Sequence, residues 1–337
     1  MSQALVQKGR DFADGASGRW AGERLSKALQ TSNLISPAVW RTNETLRKDE
    51  WIHLDEALVE EGVIRLRGVQ DLIDGGQVIP VANAMGKTIV EYEKVTDMEP
   101  AIVSLDPAAR SDLDRQEFEL ARVPLPVTHK DFDLSLRTLA ASRETGEALD
   151  TTQARTAGRL VSERLEQMLF QGLTGNFGGF PIYGYTTHPD RNVSGFGTNG
   201  AWSAAAKTGE DILADLLAAI QTENDDRMYG PFKVYIPSNT STKMEEDHKA
   251  ESDKTIRQRL LEVDMVESIT TVDQLPADNV IIAQATIDVA AWIMGETTQT
   301  VQWDLYGGFK VAFKAFAIQV PLIRSDAQGR SGVFHYS

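Results

Sequence analysis

The sequence predicts an α+β fold, on three observations. Strand-like and helix-like stretches mix without a regular strand–helix–strand repeat, which argues against a parallel sheet wound from successive crossovers. No internal repeat of about 20–50 residues is visible, so a solenoid or propeller is not expected. The third is an unbroken stretch, Pro124 to Gly172, that opens with strand alternation and closes as one long amphipathic helix. Nothing in that stretch can do chemistry.

The elements follow in order. Residues 1–45 read as an arm, with Gly15, Gly18 and Gly22 interrupting the helical spacing and a short helix predicted around Gly22–Gln30. In LRKDEWIHLDEALVEEG, Leu46, Trp51, Leu54 and Leu58 keep the helical period and Gly62 supplies a stop. VIRLRGVQDLIDGGQVIPV reads as short extended segments broken at Gly75 and Gly76. From Lys87 to Thr138 the pattern is a long hairpin. Ile89, Tyr92 and Val95 mark the outgoing limb; Phe118, Leu120, Phe132, Leu134 and Leu136 alternate along the returning one. Its tip, DPAARSDLDR, is charged, and isolated two-stranded ribbons are marginal in water. The hairpin is therefore expected to lie across a neighbouring subunit.

Asp150 or Thr151 is placed to cap the next helix, with Gln153 in position for a reciprocal contact. Its apolar stripe is Ala154, Ala157, Leu160, Val161, Leu165, Met168 and Leu169, and Gly172 ends it. A glycine- and aromatic-rich loop, GFPIYGYTTHPDRNVSGFGTNGAW, follows. Thr208 caps a second helix whose Ile212, Leu213, Leu216, Leu217 and Ile220 face a core. FKVYIP is a buried-type strand ended by Pro237, SNTSTKMEEDHK and DKTIRQRLLE are helical stretches, and MVESITTV, NVIIAQA, QTVQWDLYG and FKVAFKAFAIQVPLIR are the remaining strands.

Composition bounds the function. The 337 residues are 42% hydrophobic and 25% charged, a globular balance with room for a sizeable core. No stretch approaches the roughly 18–20 unbroken apolar residues of a membrane span, and the N-terminus lacks the apolar core of a signal peptide. No membrane partner is expected. The absence of cysteine excludes disulfides, thiolate metal sites and cysteine nucleophiles. A net charge of −15 argues against broad nucleic-acid affinity. The charge is uneven, with eight basic groups against four acids in residues 1–48. That asymmetry leaves open either an ordinary solvated segment or a contact with nucleic acid.

Candidate chemistry is thin. MGKT, Met85 to Thr88, resembles the end of a phosphate-binding loop, but the required first glycine falls on Val81 and a strand pattern follows. His53, His129, His188, His248 and His335 form no metal pattern. His188 beside Asp190 invites a catalytic reading, yet a loop histidine next to Pro189 is most simply structural. Asp106, Asp112 and Asp114 share the hairpin tip with Arg110 and Arg115, where inter-subunit ion pairing is the functional expectation; each pair is worth about 0–1 kcal/mol. The segment lacks the glycine and closing Glu of a calcium loop. No nucleophile–base set can be named, so neither a cofactor nor an enzyme activity is expected.

With the elements placed, a resemblance emerges in their order. LRKDEWIHLDEALVEEG resembles the N-terminal helix of encapsulin subunits, and Lys87 to about Val123 looks like the extended E-loop of the Hong Kong 97-type capsid fold. THKDFDLSLRTL and the helix after it resemble the strand and spine helix of that fold's peripheral domain. KTGEDILADLLAAI, GPFKVYIPSNTS and VIIAQATIDVAAWIMGE resemble its axial domain, and FKVAFKAFAIQVPLIRSD its returning strand. The likeness runs from about Leu46 to the C-terminus. The arm before it is extra relative to encapsulins, and the GFPIYGYTTHPDRN loop, richer than a compartment shell would carry, looks more like the phage capsid branch.

The resemblance implies an arm over 1–45, a helix and lead-in over 46–86, an E-loop over 87–123, a peripheral domain over 124–205 with its spine helix at 151–171, an axial domain over 206–299, and return strands over 300–337. It implies a major capsid protein that assembles as pentamers and hexamers into a phage head enclosing double-stranded DNA, built in the host cytoplasm and ending in the virion. Portal, scaffolding and decoration proteins are the further partners implied, with DNA touched weakly through the basic arm. A chain starting at Met1 is expected to carry no removed scaffolding segment. The alternative it implies is an encapsulin compartment around a cargo enzyme.

Overall fold

The computed structural model describes residues 66–95, 98, 103, 115–116, 118–135, 137, 151–249, 253–306 and 310–337. The arm, the helix expected over 46–62 and most of the hairpin tip lie outside the described residues.

The long helix of the sequence is α2, Thr152–Gln171, about 30 Å from end to end. Ala154, Ala157, Val161, Leu165, Met168 and Leu169 are buried as the stripe requires, but Leu160 is exposed. It stands in register with exposed Thr156 and Arg164, on the solvent side of the stripe. The expected Thr151 cap does not form. Its backbone sits at φ −91°, ψ 4°, outside the extended region a capping side chain needs, and its hydroxyl caps nothing. Asp150 lies outside the described residues.

Gly172 ends α2 at φ 69°, and a Cβ there would lie 2.5 Å from the Ile182 carbonyl oxygen and 2.8 Å from the Gly184 nitrogen. Gly172→Ala is therefore expected to cost at least about 2 kcal/mol. A lower denaturant midpoint at unchanged slope checks this; an unchanged midpoint would contradict the geometry.

A secondary-structure expectation also fails. Arg67–Asp74, read as extended, is a helix (α1), with Gly68, Val69 and Leu72 buried at helical spacing. Its cap comes from elsewhere: Glu166 on α2 accepts the N–H groups of Gly68 (2.6 Å) and Val69 (3.2 Å). A tertiary contact thus decides what local spacing left undecided.

Two sheets organise the rest. The first has the order β1 (Val78–Pro80), β11 (Ala290–Leu305), β12 (Lys310–Ile323), β4 (Thr128–Ser135), with only the β1–β11 pair parallel. The second has the order β7 (Asn192–Ser194), β13 (Val333–Tyr336), β10 (Val280–Gln284), β8 (Phe232–Pro237), β9 (Val266–Val272). In it β7–β13 and β8–β9 are parallel. These memberships cut across the expected boundary at 299/300. Ala290–Leu305 is one continuous strand of the first sheet, whereas Val333–Tyr336 pairs with β10 in the second.

The main core joins α2 to both sheets, through Leu165, Phe170, Trp292, Ile318, Tyr235 and Ile281 among others. A second core lies between the five-stranded sheet and α3, Gly209–Asp225, and includes Trp202, Ile212, Leu216, Val234 and Phe334. β8 is consequently buried on both faces, and FKVYIP is apolar except at buried Lys233, whose Nζ donates to the Asp71 carbonyl at 2.8 Å.

Thr208 caps α3 as expected. Its backbone is extended (φ −90°, ψ 162°) and it exchanges side-chain bonds with Asp211 in a capping box. Ile212, Leu216 and Ile220 are buried, while Leu217 is half-exposed on the far side. The helical stretches after β8 shrink to a single turn, Ser238–Ser241, and α4, Ile256–Leu261. The outer edge of β9 is blocked: Arg67 donates to the Thr271 carbonyl at 3.2 Å and Arg257 to that of Ile269 at 3.0 Å. No helix of the described residues is long and apolar enough to cross a membrane.

Candidate subunit-contact surface

The expected returning limb divides at Leu125–Pro126–Val127, between the last ladder pair at Pro124 and the start of β4, where Pro126 has no N–H to give to a ladder. Phe118–Pro124 (β3) pairs only with Ile89–Val95 (β2) in a two-stranded ribbon, and β4 goes to the four-stranded sheet. The ladder runs from Ile89↔Pro124 to Val95↔Phe118.

Strand alternation gives the ribbon two unlike faces. Val90, Tyr92 and Val123 face inward and pack against the main core. The outer face carries Glu91 and Glu93 opposite Arg122 and Leu120, with Phe118 at its far end. Arg122 bonds Glu91 at 2.8 Å and lies 5.6 Å over the Phe180 ring, on the small hairpin of β5 (Leu173–Phe177) and β6 (Phe180–Ile182). Phe118 is 65% and Leu120 50% exposed, large side chains that their own chain leaves uncovered. Of the tip residues, Asp106, Arg110, Asp112 and Asp114 lie outside the described residues, and Arg115 is exposed.

The remaining candidates are spread over separate parts of the fold. MGKT forms a short turn, Ala84–Gly86, and then enters β2, so no helix N-terminus faces a phosphate there. His188 is buried, its Nδ1 accepting the Asp190 N–H at 3.3 Å, and burial lowers its pKa to about 4. His335 is also buried, and burial followed by the charge of Arg191 lowers it to about 4. His129 is exposed on β4. Among the described residues no group of three or more histidines and carboxylates is placed to hold a metal ion.

Sequence reasoning missed the buried charges. Lys207 is paired with Asp215 at 2.6 Å and donates to the Thr198 carbonyl at 2.7 Å. Asp215 also accepts from Trp202 Nε1 at 3.0 Å. Glu166 is raised to about 7, chiefly by burial, and Glu223 to about 8 by burial and then by Asp226.

These shifts set a pH dependence. A carboxyl raised above its unfolded value of 4.5 stabilises the fold fully below that pH, and the contribution is lost as pH climbs through the folded value. The two histidines act oppositely, losing stability only as pH falls from 6.5 towards 4. Between pH 6.5 and 8 the carboxyls therefore govern, and stability is expected to fall by about 1–2 kcal/mol. Thermal unfolding across that range should lose this slope in the Glu166→Gln, Glu223→Gln double variant; an identical slope would contradict the assignment.

Comparison with known proteins places this geometry. A model of a family of unknown function, DUF6260, matches residues 39–336. No curated protein matches. Among solved structures, the chain is similar to a virus-like particle from Pyrococcus furiosus, with TM-score 0.60, 16% identity, and 86% of this chain and 99% of that one covered. It is similar to the capsid of Myoviridae phage XM1, with TM-score 0.61, 12% identity, and coverage of 77% and 89%. It is similar to the capsid of an empty GTA particle, with TM-score 0.58, 15% identity, and coverage of 92% and 97%. The fold is the α+β Hong Kong 97-type capsid fold that the order of elements resembles. Matched over most of its length, the chain belongs to the DUF6260 family.

Proposed function

We propose that the chain is the major capsid protein of a tailed phage. Its copies assemble as pentamers and hexamers into an icosahedral head around double-stranded DNA. The observation that carries this reading is the ribbon. Its inner face is built into its own subunit, and its outer face holds Phe118 and Leu120 in the open. A neighbouring copy that covered their exposed parts would recover about 1–2 kcal/mol per side chain. Repetition over a closed symmetric lattice turns such contacts into a stable shell.

In this reading the four-stranded sheet with α2 is the peripheral part and the five-stranded sheet with α3 the axial part. The tip acids and arginines, Asp106, Arg110, Asp112, Asp114 and Arg115, pair with a neighbouring subunit. The role is structural, and the finished protein resides in the virion. Residues 1–45 touch DNA or a neighbour; particles lacking them should differ in size or DNA retention, and unaltered particles would remove that role.

The contents of the particle separate a phage head from an encapsulin-type compartment. Particles from infected or induced cells, treated with nuclease and then opened, should release double-stranded DNA. Release of one cargo enzyme and no DNA would favour the compartment.

A further inference from the structure

The inner face of the ribbon carries a polar contact that burying an apolar strand face does not require. Lys94 stands at the sixth of seven ladder pairs, opposite Glu119. Its Nζ donates to Ser325 Oγ at 2.8 Å and lies 3.7 Å from Asp190 Oδ2. Ser325 Oγ donates to that same carboxylate oxygen at 2.5 Å. Three side chains from three separate segments thus close on one another. Nearer the base, the Arg324 guanidinium lies 5.5 Å from the centre of the Tyr92 ring.

The receiving segments are themselves held. The Arg324 N–H donates to the Val289 carbonyl at 2.8 Å. The Asp326 carboxylate accepts the N–H groups of Gln328 (3.0 Å) and Arg330 (2.7 Å), closing the turn after β12. On the other side, Asp190 is tied to buried His188. Lys94 therefore grips a fixed point.

A hairpin without such a grip pivots where its strands leave the body, here at the bond from the Leu125 N–H to the Thr88 carbonyl, 2.8 Å long. Gripping the ribbon at its sixth pair moves the pivot outward, beyond Lys94. We propose that Lys94, Ser325 and Asp190 strap the ribbon to its own subunit, fixing the direction in which its outer face meets a neighbour and hence the curvature of the shell. The curvature part rests on the capsid reading above; the strap itself does not.

Two readouts keep these separate. In the full-length chain, Lys94→Met and Ser325→Ala should each speed hydrogen exchange over residues 89–95 by about tenfold, and Lys94→Arg should restore protection. Exchange unaltered in both variants would overturn the strap, whether or not shells form. Particles of the strap variants should then show a broadened or shifted diameter beside wild-type particles of one size. Faster exchange with an unchanged single diameter would overturn the link to curvature. Wild-type chains that form no particle with or without a co-expressed scaffolding partner would sink the capsid reading, and with it that link, while the exchange result still decides the strap.

Discussion

Replacing Phe118 by aspartate and Leu120 by serine is expected to abolish closed shells while leaving the subunit folded. Both side chains lie on the outer face of the ribbon, so the isolated chain loses little. Surface substitutions of this kind usually stay within about 0.5 kcal/mol. Serine is chosen at Leu120 because Glu93 stands directly opposite, where a second carboxylate would repel it and confuse the comparison. In the assembled state the loss is large. Two apolar contacts worth about 1–2 kcal/mol each are gone, and a charge is forced into a contact that excludes water. The loss recurs at every subunit, so the effect on assembly is close to all-or-none. Light scattering should show no particles, while calorimetry should show an unfolding midpoint near that of the wild type. Normal particles from this double variant would mean that the outer face is not a contact.

Lys207→Met is expected to be the most damaging single substitution to the subunit itself, at about 3–5 kcal/mol. Lys207 is buried, and its ammonium group is shared between the Asp215 carboxylate and the Thr198 carbonyl. Methionine fills the space but leaves the Asp215 charge in the interior, compensated among the described residues by the Trp202 N–H. The damage should spread, because the Asp215 backbone carbonyl also accepts the Tyr336 hydroxyl at 2.8 Å. Adding Asp215→Asn should recover part of the loss, since an amide oxygen can still accept from Trp202 without carrying charge. Denaturant unfolding of the single and double variants measures both effects. A loss below about 1 kcal/mol for Lys207→Met would show that this pair is not an uncompensated charge when broken.

How much of this was legible in the sequence depends on the range of the forces involved. Thr208 and Gly172 were legible because capping and helix termination act within a few residues. The buried strand Phe232–Pro237 was legible because a doubly covered strand is apolar at nearly every position, here all but Lys233. The outer face of the ribbon was half legible. The alternation of Phe118 and Leu120 was plain, but it ran on through Pro124 and Pro126 into Phe132 and Leu134, and only the ladder shows that the limb divides there.

Features set by distant partners were hidden. Arg67–Asp74 becomes helical with a cap supplied by Glu166, a residue outside the apolar stripe of α2. Val333–Tyr336 carries no mark of the sheet it joins, because pairing partners leave no trace in a strand's own period. Lys94 and Ser325 meet across the length of the chain. Neither residue is distinguished locally, so the strap could not have been read without the fold.

The central claim is that this chain builds shells, and electron microscopy of the purified full-length protein tests it most directly. Negatively stained preparations are predicted to show closed shells, tubes or capsomer rings, with a narrow diameter in the closed forms. A monodisperse monomer or dimer at every concentration, with and without a co-expressed scaffolding partner, would contradict the account.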